Sequence, residues 1–207
     1  MADSNQKRDN DLIKRTLDGD KNAFRSLVEA YQSRIFTLVF HMCHDHQEAE
    51  DLTQETFLRA YRGLKRFGFR SEFYTWLYRI AVNVSLNHIR QAKKRRAIPQ
   101  EALPKKVLED HKSSTDPAKQ AEAHELYKHL LEGMEQLSPD LKSTLVLFVF
   151  QGLTHKQAAE VLGVAEGTVA WRINEARQQL RRHLKEVRRP KERGNHDGLQ
   201  RSQAEDI

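Results

Sequence analysis

Three groups of side chains in this sequence have the types and spacing to do chemistry. Asp51, Gln54, Glu55 and Leu58 fall at i, i+3, i+4 and i+7, which on a helix places them on one face, with Glu48 extending it. That face is open to three readings. It can be plain solvated surface, it can dock a basic protein surface around its central leucine, or its carboxylates can hold a metal for phosphodiester chemistry. His41, His44 and His46 lie just upstream, but no further carboxylate cluster completes a metal site.

The second group runs from Phe67 to Arg96. Trp76, Arg79, Asn83, Asn87 and Arg90 recur on one side of a helical segment whose other side carries Leu77, Ile80, Ala81 and Val84. Ahead of it, Phe67, Phe69, Phe73 and Tyr74 crowd a loop with Arg70 and Ser71. Flat rings for bases, cations for phosphates and amides for base edges are what a single nucleic-acid strand needs. The competing reading gives Phe67, Phe73 and Trp76 to the hydrophobic core.

The third group lies between Thr154 and Arg182. Thr154 and Gln157 have capping-box spacing. Ala158, Ala159, Val161 and Leu162 then face inward, and Gly163 permits a sharp turn before Val169, Ile173, Ala176, Leu180 and Leu184 mark the buried face of a longer helix. This pattern predicts a helix-turn-helix, whose second helix enters a major groove. Ala170, Trp171, Asn174, Glu175 and Gln178 would face base edges, with Arg172, Arg177, Arg181 and Arg182 placed for phosphates.

The elements that position these groups are helical throughout. A short helix is expected near Leu12–Leu17, then a longer one carrying Phe24, Leu27, Val28, Tyr31, Ile35, Leu38 and Val39. His41–His46 reads as a connection. A third helix is expected from about residue 48 to 65 and a fourth from about 74 to 94. Residues 97–119 hold three prolines and few apolar side chains, which predicts a linker between two domains. A helix through Leu126, Leu130 and Met134 reopens the pattern, and Ser138-Pro139 caps a buried helix over 140–150. The last twenty or so residues, from 187, read as a disordered basic tail. The fold class expected is therefore all-α, two small helical domains and a flexible linker.

Composition narrows the function classes. The chain has 207 residues, a formal net charge of +6 and one cysteine, Cys43. The charge favours a polyanionic partner, and a lone cysteine excludes an internal disulfide framework. Leu145 to Phe150, the longest apolar run, is far short of the roughly 20 residues that cross a bilayer. The opening Met-Ala-Asp-Ser-Asn-Gln has no apolar export signal, so a cytoplasmic location without membrane insertion is expected.

Glu48 to Arg62, Phe73 to Asn83 and Thr154 to Arg177, in that order, together resemble the extracytoplasmic-function sigma factors of bacterial RNA polymerase, which carry only the second and fourth conserved sigma regions. The resemblance implies a transcription initiation factor with region 2 over 1–96, a linker over 97–119, region 4 over 120–186 and a tail over 187–207. It implies core polymerase and promoter DNA as partners, contacting the clamp helices of the largest subunit and the flap of the second largest. Asp51, Gln54, Glu55 and Leu58 would grip the clamp helices. Phe67, Arg70, Ser71, Phe73, Tyr74, Trp76, Arg79, Asn83 and Arg90 would hold the melted minus-ten strand. Thr168, Trp171, Arg172, Asn174, Glu175, Arg177 and Arg181 would meet the minus-thirty-five duplex. An anti-sigma protein is implied as a further partner; no catalytic residue, metal or cofactor is implied.

The sequence departs from the family where bases are read. Ala170 and Trp171 stand where many members have a basic residue followed by serine or threonine, and Asn174 and Glu175 lack the usual bulk or positive charge. Gly68 and Glu72 are shifted around the loop as well. Two rivals remain at this stage: a helix-turn-helix regulator that binds DNA unaided, and a metal-dependent nuclease that a chelator would silence.

Overall fold

Short polar side chains punctuate the chain and fix where its helices begin. The computed structural model describes residues 2–96 and 117–188, and each regular element in them is helical. The first helix, α1, spans Ala2–Leu17. Gly19 reverses the chain at φ +102°, and Asp20 accepts hydrogen bonds from the amides of Asn22 and Ala23 to start α2, Lys21–Cys43. Asp45 caps α3, His46–Gly63, through the Glu48 amide at 2.9 Å. A single 3₁₀ turn, Leu64–Arg66, leads to the loop before α4, Phe73–Arg96. Ile13, Leu27, Ile35, Leu38, Ala49, Phe57 and Leu77 fill the core between these four helices.

Two expectations need correction. First, α1 reaches well beyond the short apolar stretch around Leu12–Leu17. Its polar first half is anchored by Asp9, whose buried carboxylate accepts from the Tyr31 hydroxyl. Burial pushes the Asp9 carboxyl above the usual carboxylate range, and the Tyr31 hydrogen bond works against that shift. Second, His41–His46 is not a connection. Helix α2 continues through Cys43, and the turn is made by His44, left-handed at φ 57°, and Asp45. His41 and His44 are buried, because this end of α2 packs against the second half of the chain.

That second half is built the same way. Helix α5 spans Pro117–Gln136, and Ser138 with Pro139 at the first helical position starts α6, Pro139–Val149. Thr154 and Gln157 close a capping box on α7, His155–Leu162. Gly163, at φ +68°, turns the chain into α8, Glu166–Arg188. Ala158 and Ala159 are small enough to let α8 cross α7 closely, and Val169, Ile173 and Ala176 fill the crossing.

The predicted linker and tail, apart from the helical residues at 117–119 and 187–188, lie outside the described residues. No helix among the described residues is long and apolar enough to cross a membrane.

Candidate nucleic-acid interface

Helix α3 turns its apolar stripe, Ala49, Leu52, Phe57 and Ala60, into the core, which forces the expected docking set outward. Asp51 and Gln54 are exposed, Glu55 is half-buried, and Leu58 shows 55% of its surface to solvent. Tyr61, one turn on, is also exposed and meets the Phe24 ring edge-on. The acids do not converge. Glu55 pairs with Arg59 at 2.6 Å, Glu50 with His46 at 3.5 Å, and Glu48 reaches His88 on α4 at 2.9 Å. Among the described residues no group of carboxylates, histidines or cysteines is placed to hold a metal ion.

Before α4, the aromatics sort themselves by depth. Phe67 is 5% exposed and Phe73 2%, so both rings belong to the core and leave no open face for a base. Trp76 is half-buried; its ring packs 5.2 Å from Phe67 and 5.9 Å from Phe73. The bare Cα of Gly63 makes room for it, since a Cβ there would sit 3.3 Å from the indole. Phe69 is different. It is 42% exposed, its ring touches Phe67 only at an edge, and it follows Gly68 in a second left-handed conformation, φ 63° then 55°. A bulky residue held there is unfavourable unless its surroundings demand it. Sequence reasoning grouped Phe69 with the other rings without choosing it. The available signal was Gly68, which marks the turn that lifts the next side chain out.

Arg70 is exposed beside this ring and Ser71 half-buried; Asn83 and Arg90 are exposed along α4. Tyr74 is half-buried, and burial raises its phenol above the usual range. Arg79 is engaged by the second half of the chain. Its guanidinium donates to the carbonyls of Val161 at 3.2 Å and Glu160 at 2.5 Å. These belong to the last turn of α7, where helix carbonyls lack partners of their own and carry partial negative charge. Beside it the Tyr78 hydroxyl donates to Gln151 at 3.1 Å, and His41 stacks on Phe150 with ring centroids 3.5 Å apart. The two halves therefore meet along part of the expected strand-binding side of α4.

On α8 the expected reading positions stand outward. Trp171 is 62% exposed, Ala170, Asn174 and Gln178 are exposed, and Thr168 is half-buried. The arginines are less available than their spacing implies. Arg172 pairs with Asp140 on α6 at 2.7 Å, and Arg177 lies over the Phe148 ring at 5.5 Å. Glu175 accepts from Gln179 at 2.7 Å and sits 3.8 Å from Arg182. Arg181 is exposed. Helix α7, which packs against α8, begins at the Thr154 cap. Thr154→Ala is expected to cost about 1 kcal/mol and lower the unfolding midpoint by a few degrees in a thermal melt, whereas Thr154→Ser retains it.

A helix-turn-helix with an exposed second helix, joined to a helical bundle with an exposed acidic face and an aromatic loop, fits a two-domain nucleic-acid-binding protein. Comparison with known proteins narrows the class. The model of sigma-70 region 2 matches residues 27–95, and that of sigma-70 region 4 matches 128–180. The RNA polymerase sigma-H factor of Pseudomonas aeruginosa is 38% identical over 89% of this chain and 97% of its own. The ECF RNA polymerase sigma-E factor of Haemophilus influenzae is 34% identical over 84% and 94%, and the sigma factor SigW of Bacillus subtilis 30% identical over 84% and 96%. Among solved structures, CnrH in complex with the cytosolic domain of CnrY has a TM-score of 0.64 at 22% identity, covering 86% of this chain and 98% of that one. RpoE of Bartonella quintana, in complex with the anti-sigma factor NepR, has a TM-score of 0.62 at 22% identity over 78% and 96%. The chain belongs to the extracytoplasmic-function sigma factors of bacterial RNA polymerase. It is thus a DNA-binding initiation factor that acts with RNA polymerase in promoter recognition.

Proposed function

We propose that the chain divides initiation among three surfaces. The α3 face of Asp51, Gln54, Glu55 and Leu58 docks on the polymerase clamp. The loop and outer side of α4 hold the melted minus-ten strand: Phe69 stacks a flipped base with Trp76 behind it, Arg70, Arg79 and Arg90 meet phosphates, and Ser71 and Asn83 meet base edges. Buried Phe67 and Phe73 support that loop from beneath, and Tyr74 flanks it. Helix α8 reads the minus-thirty-five duplex with Thr168, Trp171, Asn174 and Glu175, while Arg177 and Arg181 hold the backbone and Arg172 fixes α8 against α6. The helix-turn-helix half also docks on the polymerase flap.

The observation that carries this reading is the pair of aromatic side chains left in solvent with arginines close by in sequence, Phe69 on one half and Trp171 on the other. Water-exposed rings of this size are unfavourable for a lone domain, and a stacked base recovers about 1–3 kcal/mol. Residues 1–96 and 120–186 form the two working domains. The chain itself makes and breaks no bonds, it works in the cytoplasm with the polymerase, and a partner of the anti-sigma kind restrains it, as one solved relative was captured with such a factor.

The test is reconstitution. The full chain is combined with bacterial core polymerase on a genomic DNA library, and transcript starts are sequenced. Discrete starts sharing two upstream elements are expected. Phe69→Ala is expected to lower open-complex yield about tenfold on duplex promoters. Duplex binding without polymerase, and no directed starts with it, would replace this reading with a free-standing regulator.

A further inference from the structure

Helix α8 presents an unusual chemistry to DNA. Guanine is most often selected by a bidentate arginine or lysine, yet the cation in the first turns of α8, Arg172, is held on Asp140, and the next, Arg177, lies over Phe148. What the reading side offers first is Ala170 and then the Trp171 indole, which at 62% is the most exposed of the large apolar side chains among the described residues. Neither Trp171 nor Ala170 contributes to the core, whose face on α8 is Val169, Ile173, Ala176 and Leu180. An apolar edge on a groove-entering helix has one apolar counterpart on the base pairs, the C5-methyl group of thymine.

We propose that Trp171, backed by Ala170, is a thymine-reading residue: its indole packs on C5-methyl groups in the major groove of the upstream duplex element, so that this chain selects thymine where a guanidinium would select guanine. The inference rests on α8 being the duplex-reading helix, as proposed above. Ala170 matters by its size, since a long side chain there would hold the groove away from the indole. Asn174, one turn on and exposed on the same side, suits the adenine edge of an adjacent pair. The upstream element is therefore expected to be rich in A·T pairs at the positions nearest the start of α8.

The experiment uses the full chain bound to core polymerase on promoter fragments identified by start-site sequencing. Each thymine of the upstream element is replaced singly by deoxyuridine, which removes the methyl group and leaves pairing and phosphates intact. Removing one buried methyl is expected to weaken wild-type binding roughly fourfold at one or two positions and not at the others. Trp171→Ala is expected to weaken binding to unmodified promoter about tenfold and to abolish the difference between thymine and uridine. Trp171→Arg, at the same exposed position, is expected to transfer preference to guanine. A thymine–uridine difference that persists in Trp171→Ala overturns the proposal and leaves the indole on sugar and phosphate. Loss of polymerase association in Trp171→Ala, with the uridine effect unchanged, overturns it in favour of a protein contact. If wild-type initiation needs no upstream duplex element at all, the assignment of α8 itself falls, and that result is separate from a missing uridine effect at an element that is required.

Discussion

A chain carrying Asp51→Lys and Leu58→Glu is expected to lose association with core RNA polymerase while keeping its fold. Both side chains stand on the outward face of α3, with Leu52, Phe57 and Ala60 holding the helix from the other side. Exposed substitutions of this kind change stability by about 0.5 kcal/mol or less. The interface effect is far larger. Leu58 is the apolar centre of the proposed face, and a glutamate there brings a carboxylate that must be desolvated where an apolar side chain would have packed. On the proposed docking of α3, Asp51→Lys sets like charge against the basic surface that an acidic face suits. Disturbing a desolvated charge contact of this kind costs about 2–5 kcal/mol, so a loss of at least a hundredfold in affinity is expected from the pair. Glu55 is already satisfied by Arg59 at 2.6 Å, so Glu55→Gln is expected to weaken association less than Asp51→Asn does. Fluorescence anisotropy of labelled chain titrated with core polymerase measures each effect, with circular-dichroism melts as the folding control. Near-normal association of the double variant would remove α3 from the polymerase interface.

How much of this was legible beforehand depends on where each side chain finds its partner. The helix-turn-helix was readable residue by residue, because its determinants are local: a Thr154–Gln157 cap, an alanine pair, Gly163 in the left-handed region and a heptad-like stripe. The outward face of α3 was readable for the same reason. The end of α2 was not. Three histidines within six residues look like a polar connection, yet His41 lies inside α2 and stacks on the Phe150 ring, over a hundred residues away. Likewise, helical spacing tells which side Arg172 and Arg177 occupy but not that Asp140 and Phe148 hold them there. Among the loop aromatics, composition supplied the set. Sorting it into core rings and one projecting ring needed the backbone turn at Gly68 and Phe69. Arg79 shows the limit most clearly, since its acceptors are backbone carbonyls 81 and 82 residues along the chain, which no side-chain pattern encodes.

The Arg79 contact leads to the second large effect. The carbonyls at the end of α7 already hold the guanidinium that the proposed function assigns to a phosphate of the minus-ten strand, so on that proposal strand binding and the packing of the two halves compete for Arg79. Weakening the packing from the other side is therefore expected to strengthen DNA binding. Phe150→Ala removes the His41 stack and Gln151→Ala removes the acceptor of Tyr78, and neither residue lies on a proposed DNA surface. Each ring or hydrogen-bond truncation at such a contact is worth about 1–2 kcal/mol, so the double variant is expected to shift the closed-to-open ratio by over tenfold. A protein whose competent form is a minor one gains apparent affinity in proportion to that shift. The chain carries its own reporter. Cys43, the single cysteine, lines a cleft of about 130 Å³ between the halves with Glu48 and His88 on one side and Glu135 and Pro139 on the other. Burial pushes its thiol up to about 11, so at pH 8 it stays protonated and reacts slowly. Opening the cleft exposes the thiol and lets its acidity return toward the ordinary value, and both changes accelerate reaction with an aromatic disulfide reagent. Faster Cys43 modification together with tighter binding to a pre-melted minus-ten strand is the expected result for Phe150→Ala with Gln151→Ala. Faster modification with weaker strand binding would mean instead that the packed arrangement of the two halves is the one DNA engages.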